Sequence, residues 1–233
     1  MPSESLVCST LIELADNLLD DFDAVDLLTL LATRCVDLLD VSTAGVMLLA
    51  PEGDLRCVAS SSESMRTMEL FELQTSEGPC LDSFRLNERV AAETPENLKL
   101  RWPHFGERAV DAGYKSAYAF AMRLREQHIG SLNIFRHKGG SMSSEDLLAA
   151  QAFADMASIT ILQQRFTFEA RQLNIQLTKA LTSRAILEQA KGVLVGRRGL
   201  KVEEAFTWMR HHARNNNVKL AVVAQEIVDG QLN

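Results

Sequence analysis

The stretch Ser183–Val228, SRAILEQAKGVLVGRRGLKVEEAFTWMRHHARNNNVKLAVVAQEIV, decides how the C-terminal part of the chain folds. Its apolar residues recur at steps of three and four in three successive groups, which is the spacing of amphipathic helices. Gly199 follows the first group and can take the left-handed conformation that ends a helix. Residues 215–217, all asparagine, offer turn and N-cap chemistry before the third group. We therefore expect three short helices that pack on one another.

Basic side chains are concentrated on the same stretch. Arg184, Lys191 and Arg198 are seven residues apart, so they share one face of the first helix. Residues 171–233 hold 10 basic and 5 acidic residues, although the whole chain carries a net charge of −7. Such a surface attracts phosphate backbones, whereas the same charges on an ordinary helical bundle would simply be solvated. The other basic members of the set are Arg197 beside Arg198, Arg210, His211, Arg214 and Lys219.

This stretch resembles the ANTAR domain, a three-helix RNA-binding module of bacterial transcription antiterminators. The resemblance covers residues 171–233 and lies in Ser183-Arg184, Ala190-Lys191-Gly192, Ala205-Phe206, Met209-Arg210, Ala213 and Val223-Ala224. Lys201 departs from the family, which usually has a small capping residue there. The resemblance implies that Arg184, Lys191, Arg197 and Arg198 hold phosphates and loop bases of structured RNA, with Arg210, His211 and Lys219 flanking them. Gly192 would allow close approach of the RNA, although helix packing explains a small residue equally well.

The N-terminal part has the pattern of an α+β domain with an antiparallel sheet and flanking helices. Two amphipathic helices come first, and Asp23 is a plausible N-cap for the second. Short β-compatible runs follow, two of them separated by the polar turn Glu126–His128. The predicted helices are 6–19, 25–39 and segments around 65–73, 80–86 and 105–112; the predicted strands are 43–49, 55–60, 89–93, 116–125 and 129–136.

This order of elements is similar to the GAF domain, a small-molecule-sensing fold that frequently precedes ANTAR modules in actinobacterial regulators. The resemblance includes Glu77-Gly78-Pro79-Cys80, Arg89-Val90 and Ile129-Gly130-Ser131-Leu132, and we assign residues 1–160 to this sensor. A small-molecule pocket would then lie between the sheet and the segments near 69–84 and 102–112. Its lining would include Phe71, Cys80, Trp102, Phe105, Tyr118 and Phe120, unless the aromatic side chains only fill the core.

Cys80 allows a different hypothesis. A thiol at a helix N-terminus can have a lowered pKa and form a reactive thiolate, so a thiol-based redox sensor or reductase is conceivable. No second cysteine is close in sequence to resolve an oxidised sulfur, and buried cysteines are common. His104, His128 and His137 are scattered, so we expect no metal and no cofactor.

A long connecting helix is predicted for residues 144–199, because the segment lacks proline and has no glycine before Gly192. Apolar residues repeat along it as Ile159, Leu162, Phe166, Ala170, Leu173, Leu177 and Leu181. This seam indicates a parallel homodimer through residues 159–181, although the helix could instead fold back on the sensor.

Together, the two resemblances predict a signal-responsive antiterminator that binds structured leader RNA. The alternatives are the redox function of Cys80 and a DNA-binding regulator, in which the last two helices would mimic a helix-turn-helix. Motifs of known enzyme classes are not evident, so we expect no catalytic activity. No apolar run has the length of a membrane span, and the N-terminus lacks the basic start of a secretory signal, which predicts a cytoplasmic protein.

Overall fold

The structure, a computed structural model, describes residues 4–16 and 23–232. Its contacts divide the chain into two units, Met1–Phe166 and Thr167–Asn233. In chain order the helices and strands are α1 Glu4–Asp16, α2 Ala24–Leu38, β1 Thr43–Leu49, β2 Leu55–Ser60, α3 Glu63–Thr75, α4 Pro79–Leu86, β3 Val90–Ala92, α5 Pro95–Arg101, α6 Pro103–Asp111, β4 Ser116–Leu124, β5 Gln127–Arg136, α7 Ser144–Arg198, α8 Val202–Asn215 and α9 Leu220–Val228.

The N-terminal unit is built on a five-stranded antiparallel sheet in the order β2-β1-β5-β4-β3. The predicted α+β class is confirmed, and β4 and β5 form the expected hairpin. Their turn is shorter than predicted, because Arg125 adopts a φ of 54° and Gln127 already belongs to β5. Helix α5 was not predicted; Thr94 caps it by accepting a hydrogen bond from the amide of Asn97. Residues 17–19 of the first predicted helix lie outside the described residues.

Each face of the sheet packs against its own set of helices. On one face, Val46, Phe120 and Leu132 join a core with α1, α2 and the first part of α7, in which Phe153 is fully buried. On the other face, the side chains contact α3 to α6 through Trp102, Phe105 and neighbouring residues. The sheet is therefore covered on both sides.

Capping contacts fix the start of α2 and the end of the sheet. Asp23 accepts a 2.7 Å hydrogen bond from the amide of Val25, as predicted for the N-cap. At the end of β5, the almost fully buried Arg136 donates to the carbonyl and carboxylate of Asp40 and to the carbonyl of Gly140. These bonds tie the last strand to the segments before β1 and before α7.

The C-terminal unit contains α7 from Thr167 onward, together with α8 and α9. Ala190, Leu194, Met209, Val223 and other small apolar side chains form its core. Gly199 has a φ of 67°, as expected for the residue that ends a helix. No helix within residues 4–16 and 23–232 combines the length and apolar character needed to cross a bilayer.

Two capping predictions for this unit have different outcomes. Lys201 occupies the N-cap of α8 and accepts nothing through its side chain; instead its amide donates to the Glu204 carboxylate at 2.8 Å, which is half of a capping box. The asparagines do not cap α9, because Lys219 is its N-cap. Asn217 supplies the turn instead, with a φ of 52°.

Candidate functional site

Three basic side chains predicted to share a face of α7 differ in their exposure. Arg184 and Arg198 are exposed, whereas the side chain of Lys191 is only 17% exposed. Its ammonium lies 2.6 Å from a carboxylate oxygen of Glu188, one turn earlier on the helix. The Lys191 ammonium is therefore mostly shielded from solvent and paired with Glu188, and a phosphate would have to compete with Glu188 to bind it.

Arg197 and Arg198 lie in different surroundings. Consecutive helical residues are rotated by about 100° from each other, so the two side chains leave α7 in different directions. The guanidinium of Arg198 lies 4.4 Å from the centre of the Trp208 ring on α8. Arg197 extends towards Gly230, just after α9, where one of its nitrogens is 3.8 Å from the position a Cβ would take. Arg197 is therefore next to Arg198 in sequence, as noted above, but its side chain has different neighbours.

Gly192 is exposed inside α7 without a packing reason for its small size. A Cβ built at Gly192 meets nothing within 4 Å, and the same holds for Gly196 one turn later. Glycine costs a helix interior roughly 1 kcal/mol relative to alanine. Among the described residues, helix packing does not explain the small size of Gly192.

The remaining basic residues are on α8 and at the start of α9. Arg210, His211 and Lys219 are all exposed. The guanidinium of Arg210 is 5.9 Å from the Phe206 ring, a longer contact than that of Arg198 with Trp208. All eight residues that the sequence nominated for RNA binding belong to the C-terminal unit.

Trp208 was not identified from the sequence. Its indole stacks on His212 with ring centres 5.2 Å apart and an interplanar angle of 22°. It also borders a groove of about 480 Å³ together with Leu200, Glu203, Glu204, Thr207 and His211. The spacing of Trp208 and His212, one helical turn apart, was a signal that the sequence did contain.

The side chains proposed for the sensor pocket do not lie on one side of the sheet. Tyr118 and Phe120 pack in the core with α2 and α7. Trp102 and Phe105 are buried in the other core, and Phe71 packs against it. The sheet therefore separates Tyr118 and Phe120 from the other three aromatic side chains, and the five do not line one pocket.

Two buried carboxyl groups occupy the sheet face that α3 covers. Glu69 accepts hydrogen bonds from the Ser60 hydroxyl at 2.7 Å and the Cys57 thiol at 3.0 Å. Glu72 accepts from the amides of Cys80 at 2.6 Å and Leu81 at 3.1 Å. Burial raises the pKa of Glu69 from 4.5 to about 7 and that of Glu72 to about 8. Both groups can therefore change charge near neutral pH.

The glycines of this region leave room for the two carboxyl groups. A Cβ at Gly45 would collide with the Glu69 carboxylate, and one at Gly78 would collide with that of Glu72. Met65, Met68, Glu69 and Glu72 follow helical spacing, so the two glutamates replace apolar residues on the inward face of α3. That replacement was visible in the sequence but was not recognised as a site.

Cys80 does not have the environment of a reactive thiol. Its side chain is fully buried beside Met47 and Leu55. Burial raises the pKa of the Cys80 thiol well above its usual value, and the neighbouring Glu72 raises it further. The thiol therefore lacks the lowered pKa that the redox alternative requires. Within the described parts of the chain, no group of three or more His, Cys, Asp or Glu side chains could hold a metal ion.

The predicted apolar seam of α7 is largely exposed. Phe166, Leu173, Leu177 and Leu181 are 46–67% exposed, whereas Leu162 is buried. Phe168 and Ile175, which the seam did not include, are also exposed. A helix that presents this many large apolar side chains leaves a surface that another helix could cover.

Comparison with known proteins adds two domain assignments. A family model described as the GAF domain matches residues 23–162, and one described as the ANTAR domain matches residues 176–228. No curated protein matches the sequence.

Several solved structures are similar to this chain, among them GAF domains and a reductase. The GAF domain of a phosphoenolpyruvate-protein phosphotransferase from Coxiella burnetii is 15% identical, with a TM-score of 0.55 over 72% of this chain and 99% of that chain. Free methionine-R-sulfoxide reductase from Neisseria meningitidis, in complex with its substrate, is 14% identical, with a TM-score of 0.54 over 72% and 96%. A phycocyanobilin-bound GAF domain from a cyanobacterial phytochrome is 13% identical, with a TM-score of 0.53 over 69% and 96%. At these identities the similarity shows the fold alone.

Proposed function

Because the chain belongs to the GAF family and also carries an ANTAR domain, we propose that it is a signal-responsive antiterminator that binds structured leader RNA. ANTAR domains are RNA-binding antiterminators and GAF domains are sensors, so the architecture is regulatory. In the proposed mechanism the C-terminal unit binds RNA hairpins and thereby prevents a terminator hairpin from forming. The protein would act in the cytoplasm, where nascent transcripts are made, and would catalyse no reaction.

The observation that carries this proposal is the set of exposed basic side chains in the C-terminal unit. Arg184, Arg198, Arg210 and Lys219 are exposed, and Arg198 lies against an indole ring. Basic groups near aromatic rings suit RNA, since phosphates are neutralised by charge and unpaired bases stack on rings and guanidinium planes. Gly192 adds a position at which a partner can approach the α7 backbone closely.

A homodimer would present two such surfaces. The row formed by Leu173, Leu177 and Leu181 continues in steps of three and four into Arg184, Glu188 and Lys191. Parallel pairing can bury the leucines, but beyond residue 181 it would bring the Arg184 side chains of two copies together. We expect the paired helices to separate there, which would place two RNA-binding ends near each other for two hairpin loops.

The GAF unit would supply the signal. The buried carboxyl groups of Glu69 and Glu72 can change their charge. An open groove of about 350 Å³ is lined in part by Cys57 and Ser60, and both of these side chains donate hydrogen bonds to Glu69. A small-molecule ligand there would act on the same cluster. No observation favours the redox alternative, because Cys80 is buried with a raised pKa.

The direct test is ultraviolet crosslinking of the protein to RNA in cells, followed by sequencing of the recovered fragments. We expect enrichment of leader regions with paired hairpins upstream of terminators. Recovery of RNA without such structure, equal to that of a variant truncated at residue 182, would refute the proposal. A competition between a recovered RNA and duplex DNA then separates RNA binding from DNA binding.

A further inference from the structure

Three side chains from two helices contact one another in the C-terminal unit. Arg198 is the last residue of α7, and its guanidinium lies 4.4 Å from the centre of the Trp208 ring. On α8, the His212 ring stacks on the same indole at 5.2 Å. Residues four apart on a helix are neighbours on its surface, so His212 restricts the orientation of the Trp208 ring.

These three side chains lie at the margin of the C-terminal core and not inside it. Trp208 is half-buried at the margin of the C-terminal core, and Arg198 is exposed. An exposed arginine at a helix end normally has considerable rotamer freedom. Contact with an indole, the aromatic ring that attracts cations best, reduces that freedom.

Stacking through the face of a guanidinium is compatible with hydrogen bonding through its edge. The five N–H donors of arginine lie in the guanidinium plane and match two adjacent acceptors. In RNA, such acceptor pairs are two phosphate oxygens or the O6 and N7 atoms of guanine. An arginine restrained by an aromatic ring binds either pair with less loss of conformational freedom than a mobile one.

We infer that Trp208 is a positioning residue for RNA recognition: it holds Arg198 so that the guanidinium edge binds a phosphate or a guanine edge. This inference rests on the proposed function. It assigns to Trp208 and His212 a role that the basic residues alone do not reveal. The contact of Arg210 with Phe206, at 5.9 Å, is longer and serves as the internal comparison.

The test is a double-mutant cycle on the full-length protein, with a two-hairpin fragment from the crosslinked transcripts as the probe. The variants are Trp208→Leu, Arg198→Ala and the two together. We expect each single substitution to weaken binding about tenfold, equal to about 1.4 kcal/mol, and the double variant to bind no more weakly than Arg198→Ala. Both single variants should also flatten the salt dependence equally if Arg198 binds a phosphate.

Further variants separate positioning from folding. Arg198→Lys leaves the fold and charge intact but removes the planar fork, so it should lose most of the affinity. Trp208→Phe retains a ring and should recover part of what Trp208→Leu loses. Phe206→Leu is the comparison: because the Phe206 ring lies farther from its arginine, this substitution should weaken binding less than Trp208→Leu does. Replacing guanine by 7-deazaguanine in the probe weakens binding only if Arg198 reads a base edge.

The outcomes distinguish failure of the role inferred for Trp208 from failure of the proposed RNA-binding function. If the wild-type protein binds no structured RNA, the proposed function fails. If it binds but Trp208→Leu binds equally well, only the role of Trp208 is refuted. If the single losses multiply in the double variant, Trp208 acts independently of Arg198 and the positioning role is also refuted.

Discussion

Gly192→Ala should raise the stability of the C-terminal unit and lower its affinity for RNA. Gly192 lies within α7, and a Cβ at this position meets nothing within 4 Å, so alanine fits without displacing any neighbour. Helix propensity then favours alanine by about 0.8–1 kcal/mol. We therefore expect the C-terminal unit to become more stable by about 1 kcal/mol, while RNA that approaches the α7 backbone binds several-fold more weakly because of the added methyl group.

Hydrogen exchange read by mass spectrometry can follow the C-terminal unit separately from the GAF unit. A gain of about 1 kcal/mol slows the most protected amides of α8 and α9 about fivefold. RNA affinity is measured on the same preparation with a crosslinked transcript fragment. Gly196→Ala is the matched control, because its Cβ also meets nothing within 4 Å and its gain in stability should be equal.

Two results would refute this reasoning, and each would have a different meaning. Unchanged RNA affinity in a stabilised Gly192→Ala variant would remove Gly192 from the RNA-binding surface. Faster exchange in that variant would show that the methyl group does collide with a neighbour, so that packing explains the glycine after all.

The remaining predictions concern the sensor, the seam and the basic surface. Between about pH 4.5 and pH 7, the raised pKa of Glu69 makes the folded state hold more protons than the unfolded state, so the stability of the wild-type protein falls as pH rises. Glu69→Gln should make this fall smaller. Urea unfolding of the GAF unit at several pH values measures this, with the exposed Glu63→Gln as the control; equal slopes would contradict it. Leu177→Asp should convert a dimer into a monomer by light scattering, and a wild-type monomer at micromolar concentration would contradict the dimer. Arg184→Gln should weaken RNA binding and reduce its salt slope by about one, without changing the melting temperature.

The order and type of most elements followed from local patterns. Thr43–Leu49 and Leu55–Ser60 were predicted with their observed bounds because short apolar runs flank a Pro and Gly turn. Gly199 and Asp23 were identified because their roles depend on backbone and side-chain chemistry within a few residues. Helix α5 was overlooked, since its seven residues are too short to show a clear period.

The tertiary placement of side chains could not be predicted in the same way. In β4, alanines alternate with Tyr118 and Phe120, but both sets are buried, so the alternation does not tell which set meets α3 to α6. The buried role of Glu69 depends on space at Gly45, a residue 24 positions earlier. Likewise, the contact of Arg198 with Trp208 requires the turn between α7 and α8 to bring the two together.

The most direct test of the proposed function is the affinity of the full-length protein for a two-hairpin leader RNA, measured at increasing salt concentration. The account predicts tight binding that weakens steeply with salt, because several basic groups of the C-terminal unit displace counterions from the RNA. It also predicts weaker binding to duplex DNA of equal length. Equal affinity for both nucleic acids, or affinity that does not change with salt, would contradict it.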